Sequence, residues 1–191
     1  MSEREKALAG LVFKRGDMDL KRQREKAEAL CFEFNHTHPD EKEKKFEILD
    51  QLIKNKKENI HIKAPFNCEY GEYITVGKNF FANYGCKILD GGKIVFGDDV
   101  MIGPNCTFVT ATHPTNPIKR KEGYQQFRNI TVGDNVWFGA SVTVCPGVTI
   151  GSNCVIGAGS VVVKDIPSNS VAVGNPCKVI REVSENETNR Y

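Results

Sequence analysis

Residues 132–163 read VGDNVWFGASVTVCPGVTIGSNCVIGAGSVVV, and their spacing decides the fold. Bulky apolar anchors stand at every sixth position: Val132, Phe138, Val144, Ile150, Ile156 and Val162. A glycine often follows, as at Gly133, Gly139, Gly151 and Gly157. Four residues after each anchor the side chain is small or β-branched: Val136, Val142, Val148, Cys154 and Ser160. A period of six matches neither an amphipathic helix nor an alternating strand. It fits a parallel β-helix in which each hexad supplies one short strand and one corner. Three flat faces then close a coil of about 18 residues.

Upstream the same beat runs through Phe96, Ile102 and Phe108, with Gly97 and Gly103 behind the first two and Val100 and Cys106 in the small slots. An earlier run keeps the phase at Val76, Ala82 and Ile88, with Cys86 in the small slot. Asp90-Gly91-Gly92 shifts the count by two, as a turn insertion would. The anchors are expected to fill a narrow prism. The following Gly, or nearby Asn and Asp, is expected to supply the positive φ of a tight corner. Stacked coils satisfy one another's backbone groups. Cys86, Cys106 and Cys154 are therefore expected to be small buried apolar residues.

The beat stops after Phe108. Residues 114–131 carry Pro114, Pro117, a Lys-Arg-Lys run and Gly123, but no anchor. They number 18, so the phase returns intact at Val132. This predicts a loop extruded from the prism. His113, in TATHP (110–114), stands at its root. An imidazole titrates near working pH and suits general-base chemistry, but it also serves as a strand-end polar group. The spacing leaves both roles open.

The first part of the chain differs. Residues 1–57 are charged and helix-favouring, residues 58–183 hold the repeats, and residues 184–191 form a tail. Leu8, Leu11 and Val12 offer a short apolar face. Ala27, Leu30, Cys31 and Phe34 recur at helical steps between about residues 20 and 34. Pro39-Asp40 looks like a helix start, with Phe46, Leu49, Leu52 and Ile53 on the buried side of the next helix. The Lys- and Glu-rich remainder is expected to be solvated.

A formal net charge of +2 gives no argument for nucleic acid or an anionic membrane surface. No apolar run is long enough to span a bilayer, and MSEREKALAG has no secretory apolar core, so a cytoplasmic protein is expected. Seven cysteines, an odd number with no CxxC pair, argue against a disulfide framework or a structural zinc site. His36 and His38 lack companions for a metal site and are expected at a helix end. No Walker loop, Rossmann fingerprint or HExxH motif occurs, and no metal is expected.

FEFNHTHP (32–39), NFFANYGC (79–86), TATHP (110–114), VWFGASVTVCPGVTIG (136–151), GAGSVVVKDIP (157–167) and VGNPCKVIRE (173–182) resemble segments of the maltose and galactoside O-acetyltransferases and a related nodulation acetyltransferase. The resemblance spans nearly the whole chain. It implies a mostly β fold, a left-handed parallel β-helix with an N-terminal helical segment and a protruding loop. It also implies a homotrimer with active sites between neighbouring prisms, acetyl-CoA as co-substrate and a sugar hydroxyl as acceptor. His113 matches the catalytic histidine. Asn83 matches an asparagine that contacts the acceptor and organises the transition state. Asp17, or alternatively Asp19, matches the acidic acceptor contact of the helical segment, and Glu69 and Asp90 match further acceptor contacts. Gly91 departs from the pattern, because the galactoside enzyme has a second aspartate there. The coenzyme contacts match Ala140, Ala158, Val163, Lys164, Lys178 and Arg181. Ala140 replaces a serine and Lys178 an arginine, which keeps the charge but loses the guanidinium fork. Trp137 suits either the pantetheine arm or a neighbouring subunit.

Two other functions fit the repeat: an acetyltransferase of the same fold acting on an antibiotic or other xenobiotic, and a non-catalytic β-helix scaffold. The helical segment favours a sugar over a xenobiotic, and the intact TATHP and NFFAN segments count against a scaffold.

Overall fold

The hexads fold as short strands, each pairing in parallel with the strand one coil away. The computed structural model describes residues 1–184, and the expected tail lies outside that range except for its first residue. The first face holds Asn55–Lys56, Ile74–Val76, Ile94–Phe96, Ile130–Val132 and Thr149–Ile150. The second holds His61–Ile62, Phe81–Ala82, Met101–Ile102, Trp137–Phe138, Val155–Ile156 and Ser170–Gly174, edged by antiparallel Cys177–Glu182. The third holds Phe66–Cys68, Cys86–Leu89, Thr107–Val109, Thr143–Val144 and Val161–Val162.

Register stacks anchor upon anchor: Phe108 sits between Ile88 and Val144, and Phe138 between Ile102 and Ile156. Phe80, Phe96, Phe108 and Phe138 form a continuous row of tilted and edge-to-face rings with centroids 5.2, 5.0 and 5.2 Å apart. All four are buried, each contributing about 1.5–3 kcal/mol of apolar burial. Cys86, Cys106 and Cys154 are fully buried in the same core.

Of the two expected sources of positive φ, the nearby Asn and Asp supply it on one corner, and the glycines after the anchors do not. On the corner joining the first face to the second, positive φ belongs to Asn59, Asn79, Asp99, Asn135, Asn153 and Asn169, all between 54° and 60°, and on the next corner to Gly85, Asn105, Ser141 and Gly159. Their side chains form a ladder: Asn59 Nδ2 donates to Asn79 Oδ1 at 3.0 Å, Asn79 Nδ2 to Asp99 Oδ1 at 2.8 Å, and Asn153 Nδ2 to Asn169 Oδ1 at 2.9 Å. The glycines after the anchors are needed for closeness instead. A Cβ on Gly103 would lie 2.8 Å from Gly139 C and 2.9 Å from Ala140 N, both backbone atoms of the next coil.

The N-terminal segment forms α1 (Glu3–Leu8), α2 (Met18–His36) and α3 (Lys42–Leu52). Asn35 docks α2 on the coil, its Nδ2 donating to Phe66 O and its Oδ1 accepting from Phe66 N–H, at 2.9 and 2.8 Å. Two expectations are corrected. Phe46 is exposed, because Ile48 takes the core side of α3 with Leu49 and Leu52. Leu8, Leu11 and Val12 are exposed too, and the buried residues there are Ala7 and Phe13.

The protruding segment contains α4 (Pro117–Lys121) and is not a bare loop. Strand Tyr124–Phe127 pairs antiparallel with Ala111–Thr112 on one side and with Phe13–Lys14 on the other. Phe13 and Phe127 meet at 4.9 Å and join Ala7, Leu20 and Tyr70 in a second small core. Ile130 is buried beside Ile94, so the coil resumes two residues before Val132.

Candidate active site

Corners repeat about every twenty residues here, so each corner forms a column of side chains along the prism. The column between third and first faces carries Glu69, Asp90 and, at the exit of Thr107–Val109, Thr110 and His113. Thr110 is buried, and its hydroxyl donates to Leu89 O at 2.7 Å and accepts from Gly92 N–H at 2.9 Å. It fixes the point from which the chain leaves for His113. The imidazole lies outside the prism, exposed, with no hydrogen-bond partner among the described residues. Glu69 is half-buried and close enough to His113 to interact with it electrostatically. Burial pushes the Glu69 carboxyl above its ordinary value, against the pull of the Arg24 guanidinium, 3.7 Å away.

Asp90 plays a different part from the one the resemblance implies. It is fully buried, and its Oδ1 accepts from Glu69 N–H at 3.0 Å and Tyr70 N–H at 2.9 Å. Oδ2 accepts from Tyr73 N–H at 3.3 Å. Burial pushes its carboxyl up to about 7, against those N–H groups. The carboxylate therefore shapes the turn that presents Glu69 and is not open to a ligand. Gly91 has a steric reason: a Cβ there would run into the Phe127 ring. A side chain at 91 and Phe127 cannot share that space.

Asp17 begins α2 as its N-cap, with Oδ1 accepting from Asp19 and Leu20 N–H, both at 3.0 Å. From the same helix Gln23 Oε1 receives the Tyr73 hydroxyl at 3.3 Å. Arg24 and Gln23, which place α2 against Glu69 and Tyr73, carry no signal in the sequence. Thr110 carries one, since it lies one coil after Asp90.

Asn83 is on another column, between second and third faces, with Gly103, Ala140 and Ala158 above it. Its Oδ1 accepts from Tyr84 N–H at 2.9 Å, and its carboxamide NH₂ has no hydrogen-bond partner among the described residues. The Ala140 and Ala158 N–H groups donate to no described residue. A full face separates this column from His113. The four-residue strand Cys86–Leu89 already spans about 13 Å. One chain thus does not bring His113 and Asn83 together. Val163 and Lys164 lie on the His113 column, while Lys178 and Arg181 ride the edge strand of the second face. Lys164 and Lys178 are exposed, and Arg181 is half-buried.

Among the described residues no group of three His, Cys, Asp or Glu side chains is placed to hold a metal ion. No described helix is long and apolar enough to cross a membrane. His36 ends α2, with Nδ1 2.8 Å from Phe32 O.

Residues 129–164 match the family described as bacterial transferase hexapeptide (six repeats), and residues 6–56 the maltose acetyltransferase hexapeptide capping motif. The galactoside O-acetyltransferase of Escherichia coli K12 is 42% identical over 98% of this chain and 92% of its own. A maltose O-acetyltransferase structure from Clostridium difficile 630 is 48% identical, with a TM-score of 0.94 over 97% of this chain and 99% of its own. A galactoside acetyltransferase solved with coenzyme A is 41% identical, with a TM-score of 0.95 over 100% of this chain and 96% of its own.

Proposed function

The chain belongs to the acetyl-CoA-dependent hexapeptide-repeat acetyltransferases, and from that premise we propose that it acetylates a sugar hydroxyl with His113 as general base. The coenzyme supplies an acetyl group activated as a thioester. The residues fit such a ligand: Ala140 and Ala158 leave unpaired N–H groups beside small side chains on their corner. Those N–H groups hold the amides of the pantetheine arm, and Lys164, Lys178 and Arg181 meet its phosphates.

His113 takes the proton of the acceptor hydroxyl as that oxygen attacks the acetyl carbonyl, a role contributing about 10²–10⁴-fold. The NH₂ of Asn83, left free by the Tyr84 contact at Oδ1, donates to the oxygen on which negative charge collects. Glu69 and Asp17 receive acceptor hydroxyls beside His113. Because His113 and Asn83 stand on different corners, each complete site takes one column from each of two chains, as in a trimer. The second face supports such an assembly. Its outward ladder, His61, Phe81, Met101, Trp137 and Val155, is more apolar than Asn67, Lys87, Thr107, Thr143 and Val161 on the third face.

The observation that carries this reading is the exposed imidazole of His113 at the foot of the excursion, beside Glu69. The test is thiol release from acetyl-CoA with glucose, maltose and galactosides. His113→Ala should lose about 10²–10⁴-fold in kcat. An unchanged variant would remove His113 from the mechanism, and a wild type that turns over no sugar would remove the acceptor.

A further inference from the structure

A cavity of about 660 Å³ lies where the end of α2, the start of α3 and the first coil meet. That volume is ordinary for a small-molecule site. His36, His38, Lys42, Lys45, His61 and Lys63 line it, and no carboxylate does. Among the described residues Lys42, Lys45 and Lys63 make no ion pair. Two of them lie over aromatic rings. Lys45 Nζ is 5.6 Å from the Phe34 ring centre, and Lys63 Nζ is 4.6 Å from that of Tyr84 and 5.5 Å from that of Phe81. A ring face holds an ammonium without neutralising it. The three lysine charges are therefore unpaired, whereas His38 lies 3.5 Å from the Asp40 carboxylate, and Phe46, Leu49 and Ile60 give the cavity an apolar wall.

Its position links it to acetyl transfer. Tyr84 on its wall directly follows Asn83, whose carboxamide accepts the Tyr84 N–H. Lys63 stands one coil earlier on the same corner, its N–H donating to Ala82 O at 2.9 Å. Ala140 and Ala158 continue that column in the opposite direction. A ligand here approaches Asn83 from the side away from the coenzyme contacts.

We infer that the acceptor is a sugar bearing an anionic group, phosphate or carboxylate, which this basic cavity receives while the sugar hydroxyl reaches Asn83. The inference rests on the sugar acetylation proposed above. A neutral sugar leaves three unpaired lysines with nothing to do.

The experiment compares kcat/KM for glucose, glucose 6-phosphate and glucuronate on the intact oligomer. Either anionic sugar should exceed glucose by about tenfold, and that advantage should shrink in raised salt. Preference for glucose 6-phosphate or for glucuronate tells phosphate from carboxylate. In Lys45→Glu/Lys63→Glu the ratio of anionic to neutral kcat/KM should fall by about tenfold. Glucose used as well as both anions, or a ratio unmoved by salt and by the variant, would overturn the inference while leaving sugar acetylation standing. If no sugar is turned over, the proposed function itself fails. Calorimetric titration of the wild type with glucose 6-phosphate and glucuronate then decides the cavity: salt-sensitive saturable binding upholds an anion site, and its absence, as when a second copy of the chain fills the cavity, overturns it.

Discussion

The Arg24 guanidinium stands 3.7 Å from the Glu69 carboxylate, joining α2 to the turn beside His113. Glu69 is the more buried partner, and burial raises its carboxyl while Arg24 counters that rise. Arg24→Ala should therefore raise the Glu69 pKa further and weaken acceptor binding. Steady-state kinetics should show KM for the sugar rising several-fold, with KM for acetyl-CoA unchanged. Equal loss for both substrates would point to a general distortion.

Asp90 sets a pH dependence of stability. Its native carboxyl titrates near 7, well above the unfolded value of about 4. Between those values the native state holds a proton that the unfolded chain has lost. Stability should therefore rise as pH falls from about 7 toward 4, by up to ~1.4 kcal/mol per unit from this group, and fall as pH rises through 7. In Asp90→Asn this contribution should vanish, leaving a flatter curve in urea titrations between those limits. A slope unchanged by the substitution would place the titration elsewhere.

The asparagine ladder should be tested at Asn153, which has φ of 58°, accepts from Asn135 at 3.2 Å and donates to Asn169 at 2.9 Å. Asn153→Ala should cost about 1–3 kcal/mol in chemical denaturation, combining a left-handed backbone with two lost hydrogen bonds. Asn153→Gly should recover part of that loss, because it relieves only the backbone. Equal losses would assign the whole effect to the side-chain bonds.

Gly103 tests close stacking. A Cβ there meets the backbone of Gly139 and Ala140. Gly103→Ala should destabilise by about 1–3 kcal/mol and, by shifting the Ala140 N–H, raise KM for acetyl-CoA. Thermal melting together with coenzyme kinetics checks both parts. A variant with native stability would show that the coils can separate without strain.

The coil was legible because every sixth side chain faces the same narrow interior, which makes the beat local and visible. The corner columns follow from that count, so the placement of Glu69, Asp90 and Thr110 on one edge and Asn83, Ala140 and Ala158 on another was within reach of the sequence. The sequence left positive φ to either Gly or the nearby Asn and Asp, since both suit it, and only the stacked coils reveal that a Cβ on Gly103 has no room. The sheet of Phe13–Lys14 with Tyr124–Phe127 was not legible. It pairs segments more than a hundred residues apart, and neither strand has a buried run long enough to announce itself. The burial of Asp90 was hidden likewise, because resemblance identifies a residue type but not how many N–H groups surround it.

Sharing of the site between chains is tested most directly by mixing two inactive variants. His113→Ala and Asn83→Ala should each be inactive as pure assemblies. Co-expressed, or unfolded and refolded together, they should form mixed assemblies in which some interfaces join an intact His113 column to an intact Asn83 column, and a substantial fraction of acetyl transfer should return. A mixture verified to contain both chains in one assembly, yet no more active than its parents, would contradict the account.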